Sequence, residues 1–216
     1  MTRLWDAQSR TASPKLSRTS KHRKSNLREL ALHILDIAEN SISAGATRIK
    51  VSVNENLKDD LLRIIIEDNG RGMDIATLAR ITDPFVTSRT TRKVGLGLPF
   101  FKAAAEACEG SLNIQSEPGV GTTVTVFFKH SHIDRMPLGD LCSTLLTLIL
   151  GTPDVHWLFE YRMNDETFEF DDEPVKEALA GVSLTEPAVM RFIREMIEEG
   201  IADTRQKASH AIDHRQ

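Results

Sequence analysis

Cysteine is scarce in this chain. The two present, Cys108 and Cys142, have no paired spacing, which leaves no disulfide framework and no thiolate zinc site and fits a reducing cytoplasm. Long hydrophobic runs are missing too. The longest, Leu141 to Leu150, is too short to span a bilayer and reads as a buried helix. The N-terminus lacks the apolar core of a secretory leader. No internal repeat is apparent. Basic residues are sparse beyond the first 25 positions, where seven Lys/Arg meet a single acid, Asp6; the remainder holds 20 Lys/Arg against 30 Asp/Glu. A body that acidic argues against nucleic acid as the main partner.

What the chain does have is ordinary globular composition. Its 216 residues are 40% hydrophobic and 27% charged, enough for one full domain with a small appendage and a core that needs neither disulfide nor metal. Residues 1–25, rich in Ser, Thr, Arg and Lys, read as a disordered basic tail. A basic docking arm is the sharper alternative, and an acid-poor transit peptide ranks below it.

Asn26-Leu27-Arg28-Glu29 has the pattern of a capping box, so a helix is expected from Asn26. Leu27, Leu30, Ala31, Ile34, Ile37, Ala38 and Ile42 continue it as an apolar stripe, and Gly45 ends it. Thr47 to Val53 and Leu62 to Glu67 read as strands around a turn at 54–60. A short helix is expected from Asp74 to Arg80, and another from Leu98 to Cys108 with Pro99 in its first turn. Ser111 to Ser116 and Thr122 to Phe128 form a hairpin across Glu117-Pro118-Gly119-Val120-Gly121. Helices and strands in this order make an α+β two-layer sandwich, with helices on one face of a mixed sheet. A domain at 26–130 is therefore expected. Behind it comes a small α/β appendage at 131–200: a helix over Pro137 to Leu150, a hairpin of Val155 to Tyr161 with Thr167 to Phe170, and helices at Glu173 to Ala180 and Glu186 to Glu199. Residues 201–216 read as a frayed polar tail.

Four segments in fixed order carry the chemistry: Asp36-Ile37-Ala38-Glu39-Asn40, Asp68-Asn69-Gly70-Arg71-Gly72-Met73, Asp83-Pro84-Phe85, and Gly95-Leu96-Gly97-Leu98, followed by Gly121-Thr122-Thr123. Asp36 and Asn40 are four apart and share a helix face away from the apolar stripe; by themselves they would read as solvated. Glu39 points about 100° away from Asn40 on the helix wheel and reads as structural. Asp68 on a glycine turn would by itself be an ordinary turn, with Gly70 and Gly72 permitting positive φ. Gly95 to Leu98 leads into a helix, where free amides and the helix N-terminus favour an anion. The segment from Thr87 to Lys93 between them is short and basic, with Arg89, Arg92 and Lys93.

Together these segments, over roughly Leu27 to Phe128, resemble the GHKL superfamily of ATP-binding proteins: gyrase, the ninety-kilodalton heat-shock chaperone, histidine kinases and MutL. The first motif looks most like MutL; Asp83 to Ser88 and Gly95 to Leu98 look more like histidine kinases. The resemblance implies the Bergerat-type fold, with ATP and Mg2+ as ligands. It implies Asn40 as the magnesium ligand, Asp68 as acceptor for the adenine amino group, and Gly70, Gly72 and Met73 as the turn against the base. Thr122 would support the adenine side, Phe85 and the 87–93 segment would form a lid, and Lys93 with Gly95, Leu96, Gly97 and Leu98 would hold the phosphates. In hydrolytic members a Glu four residues before the Asn activates the attacking nucleophile. Here Asp36, one methylene shorter, stands there, which fits slow turnover.

A histidine kinase carries its phosphoacceptor His on an upstream helical hairpin. Only His22 and His33 precede Asn40, with no room for that hairpin, and His33 reads as a helix-face residue. No sensor segment, receiver domain or transducer domain is visible. The expectation is a cytoplasmic signalling protein acting through a partner protein, away from membranes. It would be a serine- or histidine-kinase-like enzyme working in trans, or a slow ATPase; the alternative is a non-catalytic ATP sensor. A second copy of the chain is among the partners left open.

Overall fold

The computed structural model describes residues 29–81 and 97–213. Among the described residues six strands form one sheet in the order β3-β4-β2-β1-β5-β6, made of β1 (Arg48–Asn56), β2 (Leu61–Asp68), β3 (Ser111–Glu117), β4 (Gly121–Lys129), β5 (His156–Met163) and β6 (Glu166–Asp171). All neighbours are antiparallel except β1 and β5, which run parallel with Ile49 opposite Trp157 and Val51 opposite Phe159. A parallel pair needs a crossover, and α4 (Leu141–Gly151) lies within it.

Alternation decides which face is covered. Ile49, Val51 and Val53 of β1, Leu62, Ile64 and Ile66 of β2, Val124, Val126 and Phe128 of β4, and Trp157, Phe159 and Tyr161 of β5 are buried. Residues two apart share a face, so these make one apolar surface. On it α1 (Leu30–Ser43) packs over β1 and β2, α3 (Gly97–Glu106) over β3 and β4, and α6 (Pro187–Asp213) over β5 and β6, while α4 bridges α1 and α6. The short α2 (Ile75–Ile81) buries no residue, and α5 (Asp172–Ala178) packs on β5. This is the two-layer sandwich expected, with helices on one face of a mixed sheet.

Several boundaries differ from the sequence reading. α1 begins at Leu30, not Asn26; Glu29 is its extended N-cap and makes no side-chain cap bond. The reason is tertiary. The Leu30 and Ala31 amides donate to the carbonyls of Pro137 and Leu138 at 3.0 and 2.8 Å, so a distant loop satisfies the helix end that a local cap was expected to serve. Asn26 lies outside the described residues. β1 runs three residues past Val53, because Asn54 to Asn56 are paired on one side with β2, and Asn54 and Glu55 also with β5. α4 starts at Leu141 rather than Pro137: Gly139 has φ +76, and Asp140 caps by accepting from the Ser143 amide at 2.8 Å.

The C-terminal third departs most. The expected hairpin of β5 and β6 is not a separate appendage but joins the sheet beside β1. Residues 201–213, read as a frayed tail, continue α6, whose buried stripe Val189, Ile193, Ile197, Ile201, Thr204 and Ala208 runs nearly its whole length. Gly200 would ordinarily weaken a helix. Here a β-carbon at 200 would lie 2.2 Å from the Phe168 ring, so the glycine permits close approach of α6 to β6.

The far end of α6 is tied down by a polar cluster. Tyr161, fully buried, donates to Glu55 Oε1 at 2.5 Å; Arg205 Nε donates to the Tyr161 oxygen at 2.7 Å, and its Nη2 lies 3.5 Å from Glu55. His130 Nε2 lies 2.9 Å from the other Glu55 oxygen. Burial, then the Glu55 charge, pushes the Tyr161 phenol up, so it remains a donor.

Candidate functional site

The site lies where the gap between sheet and helices opens at one end. Asp68 continues the series Leu62, Ile64, Ile66 as the last residue of β2, on the same face as those core residues. Thr122 of β4 is its cross-strand partner, and Ser116 of β3 is in turn the partner of Thr122. From above, α1 contributes Ile37, Asn40 and Ser41. These elements enclose a cavity of about 560 Å³ that Asn40, Ser41, Asp68, Gly72, Met73, Thr122 and Leu98 help to line, a volume within the range of small-molecule sites.

Asp68 is held from two sides. Ser41 Oγ donates to Oδ2 at 2.5 Å, and the Gly70 amide donates to Oδ1 at 2.9 Å. These bonds fix the carboxylate and use part of its acceptor capacity, so what Asp68 still offers the cavity is acceptor capacity and no donor. Gly70 serves by tight approach rather than by positive φ: a β-carbon there would come within 3.0 Å of Asp68 Oδ1 and 3.1 Å of Ala44 Cβ. Gly72 does take the left-handed region at φ +63, and a β-carbon would lie 1.9 Å from the Glu117 carbonyl oxygen. The turn is stitched on both sides, since the Arg71 amide donates to Ala44 and its carbonyl accepts from Gly119. Asn69 Oδ1 accepts from the Thr47 and Arg48 amides.

On α1, Asp36, Glu39 and Asn40 are all exposed. Asp36 faces α3: a β-carbon on Gly97 would lie 2.9 Å from Asp36 Cβ and 3.2 Å from its Oδ2. The carboxylate therefore lies beside the N-terminus of α3, one residue from cavity-lining Leu98 and one turn from Asn40. One hard amide oxygen, that of Asn40, on an exposed helix face near a helix N-terminus fits a hydrated magnesium ion carrying phosphates, and leaves the Asp36 carboxylate one turn away free of the metal. His33 is not on the polar face. It is 3% exposed and stacks on Phe101 with ring centroids 4.9 Å apart, and burial lowers its pKa against a smaller opposing effect of Asp36. A neutral imidazole so enclosed cannot take up a phosphoryl group without unpacking α1 from α3.

Asn40, Asp68, Gly72, Met73, Thr122 and Leu98 thus share one cavity, with Gly70 bound to Asp68 and Gly97 against Asp36. Phe85, Lys93, Gly95 and Leu96, with the segment from Thr87 to Lys93, lie outside the described residues. The sequence reading passed over Ser41 and Ser116. Ser41 follows Asn40 directly, and the 3.6-residue period could have placed it toward Asp68. Ser116 at a strand end carried no signal. Among the described residues, no helix is long and apolar enough to cross a membrane.

The sequence model of the histidine kinase-, DNA gyrase B- and HSP90-like ATPases matches residues 25–132. Among curated proteins, the chain is 44% identical over 93 residues to the sensor protein kinase FleS of Pseudomonas aeruginosa, covering 43% of this chain and 23% of that protein. It is 35% identical over 94 residues to the signal transduction histidine-protein kinase AtoS of Escherichia coli, covering 43% and 15%. The chain therefore matches less than a quarter of the length of either relative. Among solved structures, the Aquifex aeolicus MutL ATPase domain complexed with ADP aligns with a TM-score of 0.44 at 17% identity, over 70% of this chain and 67% of that one. With half of its length matched by the family model, the chain belongs to the histidine kinase-, DNA gyrase B- and HSP90-like ATPases.

Proposed function

We propose that the protein binds ATP with Mg2+ and uses it to control a partner protein, by transferring the γ-phosphoryl group or by slow hydrolysis. The observation that carries this reading is the convergence of Asn40, Asp68 and Thr122, from three separate elements, on one cavity, with Asp36 beside the start of α3. Asp68 accepts from the adenine amino group, and Asn40 offers its amide oxygen to the metal. Bound magnesium supplies charge neutralisation for the phosphates. Asp36 accepts the proton of the attacking water or partner hydroxyl as the new oxygen–phosphorus bond forms and ADP leaves. The sensor kinases that the chain resembles support a signalling role, and the acidic body supports a protein partner over nucleic acid.

Two measurements test the binding half. Asp68→Asn keeps the shape but replaces an acceptor-only group with an amide, and should weaken ATP binding by about 1.5–3 kcal/mol. Calorimetry giving equal affinities for ATP and GTP in the parent protein would sink the adenine reading. Asn40→Ala, on an exposed helix position, should leave the fold intact and abolish the gain in nucleotide affinity that magnesium provides. Titrations with and without EDTA decide this; an undiminished magnesium effect removes Asn40 from the metal site.

A further inference from the structure

One hydroxyl beside the cavity, bonded to two residues that line it, has more neighbours than an ordinary strand serine. Ser116 Oγ accepts from the Met73 amide at 2.8 Å, donates to the Gly121 carbonyl at 3.1 Å, and lies 2.9 Å from the Thr122 hydroxyl. A serine hydroxyl has one hydrogen and two lone pairs. The Met73 amide can only donate, and the Gly121 carbonyl can only accept. Those two bonds consume the hydrogen and one lone pair of Ser116. The contact with Thr122 is then satisfied only if Thr122 is the donor.

That assignment has a consequence one strand over. Thr122 also has a single hydrogen. Once it is given to Ser116, Thr122 has only lone pairs left to present to the cavity. Its cross-strand partner is Asp68, which is acceptor-only as well and already takes the Ser41 hydrogen. The base end of the cavity then carries two adjacent acceptors and no hydroxyl donor from either. An exocyclic amine, with two hydrogens, matches such a pair directly or through water. A carbonyl in the same place faces acceptors on both sides, an arrangement that polar sites reject strongly.

We infer that Ser116 is a specificity-determining positioning residue: by taking the Thr122 hydrogen, it makes Thr122 an acceptor and sets discrimination between 6-amino and 6-oxo purine nucleotides. Ser116 need not touch the base. Because it also receives the Met73 amide, it links the glycine turn after β2 to the β3–β4 hairpin. The inference rests on the ATP-binding reading above.

The test uses the full chain and compares ATP with ITP, which differ at the 6-position of the purine. In Ser116→Ala the Thr122 hydroxyl is free to turn its hydrogen into the cavity, where it can donate to a carbonyl. The ATP-to-ITP affinity ratio should fall about tenfold, the worth of one correctly directed hydrogen bond. Ser116→Thr, which keeps the hydroxyl, should restore most of the ratio. In a Thr122→Val background, Ser116→Ala should leave the ratio unchanged, because the effect runs through Thr122. A purely structural role would weaken ATP and ITP together and keep their ratio; that result overturns the inference, as does a full effect in the Thr122→Val background. If the parent protein binds neither nucleotide, the ATP-binding reading fails first. Circular dichroism melts establish that each variant is folded.

Discussion

Replacing Asp36 with alanine is expected to leave ATP affinity within about twofold and to lower phosphoryl transfer or hydrolysis by about 100- to 10,000-fold, the usual contribution of a positioned general base. Asp36 is exposed on α1, so its removal opens no cavity and unfolds nothing. It lies one turn from Asn40 and against Gly97, so no other α1 carboxylate can replace it: Glu39 projects about 100° away from Asn40. Single-turnover assays with labelled ATP, with phosphate release and protein labelling followed separately, give the answer. Parent-like turnover in Asp36→Ala would make Asp36 only a polar helix-face residue and favour a histidine-kinase-like transfer that needs no such base, or, where neither protein turns over ATP, a sensor. The contact with Gly97 also bears on the missing methylene. α3 approaches α1 closely here, since a β-carbon on Gly97 would lie 2.9 Å from Asp36 Cβ, so a longer glutamate at 36 would have to fit against the start of α3.

Glu55→Ala should give the largest loss of stability. Glu55 is 8% exposed and holds Tyr161, His130 and Arg205 around one carboxylate. Its removal leaves a fully buried phenol without its acceptor and a guanidinium, still bonded through Nε to Tyr161, without its counter-ion. The expected loss is about 3 kcal/mol, the low end for breaking a buried charge pair, because Arg205 is half-exposed. Urea denaturation measures it directly. Nucleotide affinity should hold in the folded variant: Ile49 is the β1 residue opposite Asp68, which sets Glu55 about 20 Å away along the strand. The pH dependence follows from the sign of the Glu55 shift. Burial acts to raise its pKa, but the hydrogen bonds from Tyr161 and His130, with the Arg205 charge, outweigh it and hold the carboxyl below its ordinary value. The unfolded chain therefore binds the proton more readily, so the stabilisation is complete above the unfolded pKa and is lost as pH falls through the folded one. The parent should lose stability below about pH 4.5 more steeply than Glu55→Gln. Parallel acid profiles would show that the cluster contributes nothing through Glu55.

Among the described residues, those from Leu30 to Ile81 and from Gly97 to Lys129 were the more legible part of the fold because their signals are local. Strand alternation in Leu62 to Glu67, the helical stripe through Ile34 and Ala38, and the glycine at 45 each depend on residues within a few positions. The start of α1 was misread because its first amides are satisfied by Pro137 and Leu138, far away in sequence. α6 was cut short because Gly200 and the polar residues after it look like an ending; the Phe168 ring that the glycine accommodates belongs to β6. In the site, Asn40, Asp68 and Thr122 were legible through ordered motifs. Ser41 and Ser116 were not, because their importance lies in bonds to Asp68 and Thr122, and a lone serine has no pattern to betray it.

The parallel seam between β1 and β5 has a bearing on how the chain is made. Lys50 and Glu160, bonded across it, are 110 residues apart. At roughly 5–20 residues per second, β1 leaves the ribosome about 5–20 s before its partner exists. Through that interval Ile49, Val51 and Val53 sit on an unfilled sheet edge, the kind of surface that recruits strands from other chains. The C-terminal third closes that edge when β5 pairs along β1, so the sheet is complete only once the last strands have emerged.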